Sequence, residues 1–139
     1  MDLQELKARI NADEGYMRFN GMEVTELSSG YCEVRAPVGP EKLNPHGIAH
    51  GGLLFSLCDT AAGVAATTLG RSVVSRAAEI HFLHPAMGRA VTAKGRVDDA
   101  GAHMAYCTAE AFDETGEKLV SASFEMFFIQ RPYQHEGEA

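Results

Sequence analysis

The sequence predicts an α+β domain in which one antiparallel β-sheet curls around one long apolar helix. Three observations predict it. Residues 51–69 read as a helix that is apolar nearly all round, the mark of a buried helix. Runs in which apolar and polar residues alternate stand on both sides of it, two before and four after. Tight turns join most of those runs, which suits antiparallel neighbours. A sheet laid against a helix buries the apolar surface of both.

The elements follow in order. Leu3, Leu6 and Ile10 recur at helical spacing, so residues 2–12 form a short amphipathic helix. Residues 13–19 read as a less regular link. Residues 22–27 and 31–36 alternate as two half-buried strands, and Ser28-Ser29-Gly30 turns between them. Residues 37–45 are loop, with room for one helical turn near Glu41 and Lys42. The apolar helix begins near Gly51 and stops at Gly70, which suits a C-terminal cap. Its small residues, Ala61, Ala62, Gly63, Ala65 and Ala66, allow the sheet to come close. Four strands follow over residues 72–83, 90–98, 103–112 and 118–129, with turns at 99–101 and 113–116. The tail, about residues 131–139, is polar and expected to fray.

Composition narrows the function. The 139 residues, 45% of them hydrophobic, suit one domain spanning 1–139. A net charge of −7, without a lysine and arginine cluster, argues against nucleic acid as the main partner. The first residues are charged from Asp2 onward and hold no apolar core, so they do not read as a signal peptide. The apolar helix is long enough to suggest a membrane span. Asp59, the threonines, the glycines and the lack of a basic flank argue against that. Cys32, Cys58 and Cys107 are odd in number, far apart and form no CxxC pair. Neither a disulfide framework nor a zinc knuckle is expected, and the reducing cytoplasm is the expected compartment.

One residue breaks the apolar helix. Asp59 is the single formal charge between His50 and Arg71. It lies more than a turn past the helix start, too far to act as an N-cap or a first-turn partner of the dipole. A carboxylate on a buried helix is costly unless it is paired or used. A polar, glycine-bearing loop precedes that helix: Asn44-Pro45-His46-Gly47-Ile48-Ala49-His50-Gly51-Gly52. His46 with His50, and His81 with His84, have spacings that could suggest a metal, but no glutamate completes a metalloprotease pattern and none is expected.

This loop, followed by a helix carrying Asp59, resembles the hotdog-fold thioesterases, and among them the phenylacetyl-CoA thioesterase-like (PaaI-type) group. The stretch Glu79-Ile80-His81-Phe82-Leu83-His84-Pro85 extends the resemblance, which covers nearly the whole chain. It implies the hotdog fold and hydrolysis of an acyl-CoA, with coenzyme A arriving as part of the substrate and no other cofactor. It implies a homodimer that pairs two sheets edge to edge, often as a tetramer of two dimers. It also implies active sites at the dimer interface, Asp59 of one subunit facing the motif loop of the other.

Under that resemblance, Asp59 matches the catalytic carboxylate, acting as general base or as nucleophile. Gly51, at the helix start, has an N–H with no intrahelical acceptor and is the candidate oxyanion donor. Asn44 matches the motif asparagine that positions the water or the carbonyl, and His50 a histidine that aids polarisation or fixes the loop. Ser75 falls where some relatives hold the water with a serine. His84, Arg89 and Gly52 are the candidates for substrate and coenzyme A binding. Arg71, Arg76, Lys94 and Arg96 also crowd the middle of the chain, although strand alternation would divide them between faces. Cys58 points about 100° away from Asp59 on a helix and does not read as a nucleophile. Each residue also has a plain structural role open to it: an Asx-turn at Asn44, turn chemistry at the glycines, a cap at His50, a buried pairing at Asp59. The leading reading is an acyl-CoA thioesterase for aryl or medium-chain acyl groups. A non-catalytic acyl-CoA binder, and a hydratase or dehydratase on the same fold, are the alternatives; the usual motif of the second is not found.

Overall fold

The computed structural model describes residues 2–129, so the expected fraying of the tail concerns residues outside the described ones. The chain runs α1 (Leu3–Ala12), α2 (Tyr16–Phe19), β1 (Glu23–Ser28), β2 (Tyr31–Pro37), a 3-10 turn (Pro40–Lys42), α3 (Gly51–Thr67), β3 (Val73–Phe82), β4 (Ala90–Ala100), β5 (Met104–Asp113) and β6 (Lys118–Phe128). The six strands form one antiparallel sheet in the order β1-β2-β4-β5-β6-β3. α3 lies across the inner face, chiefly over β4, β2 and β5.

The α3 residues that meet the sheet form a stripe at helical spacing: Leu54, Leu57, Cys58, Ala61, Ala62, Ala65 and Ala66 are all buried. The alanines bring helix and sheet together at Gly95 on β4. A Cβ built on Gly95 would lie 2.5 Å from the Ala61 carbonyl carbon and 2.7 Å from the Ala62 nitrogen. Gly63, expected to share this role, does not. It sits on the opposite side of the helix and is half-buried, because 3.6 residues per turn carry it away from the alanine stripe.

Several boundaries differ from the sequence expectation. Part of the link at 13–19 is helical, α2, and the chain turns out of it at Gly21, with a φ of 68°. α3 ends at Thr67, ahead of Gly70, because Thr68 ties the helix end down. Its hydroxyl donates to the Ala65 carbonyl at 2.6 Å, and its oxygen accepts the Gly30 amide of the β1–β2 turn at 2.7 Å. β4 continues through Asp99 to Ala100, where a turn was expected, because a bulge between Val97 and Asp99 absorbs the break in alternation. β3 has a similar slip between Ser75 and Ala77. Val73 and Ser75 pair with Phe128 and Met126, whereas beyond the slip Ala78, Ile80 and Phe82 are the residues opposite the inward-facing Phe124, Ala122 and Val120. Bulges of this kind re-aim side chains beside functional sites.

The two margins of the sheet are treated differently. Along β1, Asn11 of α1 supplies a substitute strand: its Nδ2 donates to the Val24 carbonyl at 3.0 Å and its Oδ1 accepts the Val24 amide at 2.8 Å. Lys7 adds a bond to the Thr25 carbonyl at 3.1 Å. β3, at the other margin, pairs with β6 on one side and with no described strand on the other.

The contact at Gly95 has a measurable consequence. Gly95→Ala places a methyl against the α3 backbone, which cannot move aside as a side-chain tip can. The expected loss is about 2–3 kcal/mol, read by thermal melting as a fall in Tm of roughly 6–10 °C.

Candidate active site

α3 begins at a cap that its own sequence builds. His50 is the N-cap residue, and its Nδ1 accepts the Gly52 amide at 2.7 Å. The neighbouring Gly51 is the first residue of the helix, and its N–H has no acceptor within the helix. Of the two glycines, Gly51 keeps a donor for a ligand, whereas the Gly52 amide, expected at a substrate site, is already held by the cap. The geometry at His50 is that of a loop-fixing residue.

Asn44 closes the loop in front of that cap. Its Oδ1 accepts from the His46 amide at 2.9 Å and the Ile48 amide at 3.3 Å, an Asx-turn. Its main chain pairs with Ile48 as well, the Asn44 amide donating at 2.8 Å. With the carbonyl oxygen engaged, the Nδ2 amide is the part of Asn44 that can reach a ligand. Asn44 and Gly51 share the lining of a cavity of about 230 Å³, with Ile48, Leu54, Phe82, His84 and Pro85. His84 places Nδ1 3.0 Å from the Lys118 carbonyl. A carbonyl can only accept, so a proton lies on Nδ1.

Asp59 lies eight residues along from Gly51, about 12 Å at 1.5 Å per residue. It is half-buried on the side of α3 turned away from the alanine stripe. Ser75 donates to its Oδ1 at 2.5 Å, so the bulge in β3 occurs at the residue that meets the carboxylate. Asp59 and Ser75 line a second cavity, of about 240 Å³, with Thr60, Gly63, Val64, Thr67, Ser72, Val73 and Met126. Asn44 and Gly51 do not reach it. The structure therefore brings Asp59 to Ser75, and Asn44 to Gly51 and His84, but leaves the two groups in separate cavities within one chain.

The basic residues do not gather at either place. Arg89 lines neither cavity; its main chain serves the fold, the amide donating to Glu114 at 2.8 Å and the carbonyl accepting from Val38 at 2.8 Å. Arg71 stacks over Phe128 at 4.4 Å and donates to the Ala102 carbonyl at 2.9 Å. Arg76 pairs with Glu125 at 3.7 Å, and Arg96 with Asp98 and Glu110 at 3.2 and 3.6 Å. Lys94 lies over the Phe112 ring at 5.1 Å. Lys94 and Arg96 share one face by strand alternation, and it is the outer one, remote from α3.

Sequence reasoning missed residues around both groups. Phe82, Ile48 and Leu54 wall the first cavity, and Val73, Val64 and Met126 the second. It also missed Tyr16, whose hydroxyl lies 2.7 Å from Ser56 Oγ beside the first turn of α3. Helical spacing from Asp59 could have found Gly63 and Thr67, four and eight residues on. The strand residues could not be found without the β3 register.

The model of the Thioesterase superfamily matches residues 46–120, which include the cap, all of α3 and Ser75. The acyl-coenzyme A thioesterase PaaI of Escherichia coli is 37% identical over 82 residues, 58% of this chain and 59% of that protein. The solved structure of E. coli PaaI, from the phenylacetic acid degradation operon, superposes with a TM-score of 0.87 at 26% identity, covering 94% of this chain and 95% of that one. A hypothetical thioesterase from Streptococcus pneumoniae, solved with coenzyme A, gives a TM-score of 0.78 at 28% identity over 83% of this chain and 94% of that one. That streptococcal protein was also solved with one aspartate, and with one threonine, replaced by alanine. With its sheet wrapped on α3 in the hotdog arrangement, and its cap, helix and Asp59 inside the matched region, the chain belongs to the Thioesterase superfamily.

Proposed function

We propose that this protein hydrolyses an acyl-CoA thioester to the free acid and coenzyme A, and that it does so as a homodimer in which each site draws on both copies. One observation carries the proposal: the carboxylate and the amide donors stand in different cavities at two levels of one rigid helix. Hydrolysis needs them across one carbonyl. A second copy, related by a twofold axis, sets Asp59 of each chain opposite Gly51 and Asn44 of the other. The unpaired margin of β3 supports that axis, and apolar groups beside it stand exposed in the single chain: Phe82 at 54%, Leu83 at 47% and Met87 at 77%. A tetramer of two such dimers is the larger assembly proposed.

The chemistry follows from the groups present. The Gly51 N–H, at the positive end of α3, and the Asn44 Nδ2 amide are donors for the thioester oxygen as it gains charge. Ser75 holds Oδ1 of Asp59 and leaves Oδ2 free. Oδ2 either takes a proton from a water whose oxygen attacks the carbonyl carbon, or attacks that carbon itself to give an anhydride that water then opens. In both routes the carbon–sulfur bond breaks and the departing thiolate takes up a proton. The streptococcal relative adds support for Ser75: its two replaced positions, an aspartate and a threonine, are separated in its chain by as many residues as Asp59 and Ser75. The E. coli relative supports an acyl-CoA substrate, with aryl or medium-chain acyl groups as the proposed class.

Cys58, next to the carboxylate, is unsuited to the nucleophile's part. It is wholly buried, and burial, with the Asp59 charge adding to it, pushes its thiol pKa up to about 12. Cys32 is likewise pushed to about 12 and Cys107 to about 11, both by burial first.

Three measurements test this function. With a panel of acyl-CoAs and a thiol-trapping dye, Asp59→Asn is expected to fold normally and to lose at least about 10²-fold in kcat; binding without release of coenzyme A by the wild type would instead favour a non-catalytic binder. Asp59→Asn and Asn44→Ala chains, each nearly inactive, are unfolded together and refolded. Half of the dimers are then mixed, each with one intact site of two, so about a quarter of wild-type turnover should return; no recovery would mean that the site is not shared. Iodoacetamide at neutral pH is expected to label none of the three cysteines in the folded protein, and hydrolysis should survive the treatment.

A further inference from the structure

Gly63 has no structural reason to be glycine. It lies inside α3, one turn beyond Asp59 and on the same side. A glycine in a helix interior is less stable than alanine, because it gives up more backbone freedom on folding. Its φ is not in the left-handed region, unlike that of Gly70 at 98°. Nor does a close approach require it, as one does at Gly95: a Cβ at Gly63 would meet Met126 Cε at 3.8 Å and Val73 Cγ2 at 4.0 Å, which is ordinary contact.

What the missing side chain leaves is room beside the carboxylate. Gly63 is part of the wall of the 240 Å³ cavity that contains Asp59 and Ser75. Three of the four hydroxyls of that cavity, all but that of Ser72, turn to partners within the protein. Thr67 donates to the Gly63 carbonyl at 2.9 Å, Ser75 to Asp59 at 2.5 Å, and Thr60 contacts the Met22 sulfur at 3.9 Å. A ligand therefore meets mainly the methyl and methylene surface of Val64, Val73 and Met126. The pantetheine arm of coenzyme A carries amides, which lose free energy when buried without partners. An acyl group carries none.

We infer that this cavity is the acyl subsite and that the absent side chain at Gly63 sets its depth. The inference rests on the hydrolase reading above and extends it to the size of the substrate. A cavity of about 150 Å³ holds benzene. The 240 Å³ that this chain contributes takes an aromatic ring together with the carbons that join it to the thioester, or a medium chain of similar bulk.

The test compares the full-length wild type with Gly63→Ala and Gly63→Leu on acetyl-, hexanoyl-, phenylacetyl- and palmitoyl-CoA. Oligomeric state and Tm are measured for each. The kcat/KM ratio of phenylacetyl-CoA to acetyl-CoA is expected to fall at least about tenfold in Gly63→Ala, the discrimination typical of one methylene in an apolar pocket, and further in Gly63→Leu. The Tm of Gly63→Ala should rise by about 2–4 °C. A wild type that prefers palmitoyl-CoA, a ratio that does not move, or a fall in Tm would each overturn the inference. So would a parallel loss on every substrate with dissociation of the oligomer, since the glycine would then serve contact between copies. A wild type that releases coenzyme A from no thioester overturns the hydrolase reading, and this inference with it. An active wild type with unaltered selectivity in the variants overturns this inference alone.

Discussion

The roll of α3 about its own axis is the constraint on which the rest depends. Ala61 and Ala62 lie so close to β4 that only a glycine fits at position 95. That contact fixes which side of the helix faces the sheet. Ala65 and Ala66 follow the same stripe. Asp59, Gly63 and Gly52 are then turned away from the sheet because the helix has 3.6 residues per turn. A rotation of one residue, about 100°, would bury the carboxylate where Cys58 now lies and leave Thr60 in its place. The fold thus sets the direction of Asp59 by packing alanines on the other side of the helix.

Much of this was legible in the chain. The alternating runs gave each strand within a few residues, and the apolar helix with one acid gave Asp59. The loop motif gave Asn44, His50 and Gly51. What could not be read was direction. His50 and Gly52 were recognisable as residues of interest, but the bond between the His50 ring and the Gly52 amide, which separates the two glycines in function, is a matter of geometry. The same holds for Asn44, whose side-chain oxygen belongs to the loop and whose amide nitrogen does not.

The strand errors have one cause. A period of two assumes an unbroken ladder. β3 slips between Ser75 and Ala77, and β4 between Val97 and Asp99. The first slip allows Ser75 and Ile80 to face inward together although they are five positions apart, an odd step. It also sends Glu79 and His81 outward, where they meet each other at 2.8 Å. Charge counted along the chain does not show that Lys94 and Arg96 share the outer face with Glu110, whose carboxyl a Lys118 hydrogen bond, with help from Arg96, holds below its usual range.

The bond pair between Asn11 and Val24 has a consequence for how far this protein can assemble through its strands. A sheet with two free borders can add neighbours without end, and such growth leads to fibres. Here α1 occupies the Val24–Thr25 stretch of one border, and no described strand pairs with the other. A body with a single docking side joins one mate and then stops growing in that direction. The small amphipathic segment over residues 3–12 would confine any association of strands to the β3 side.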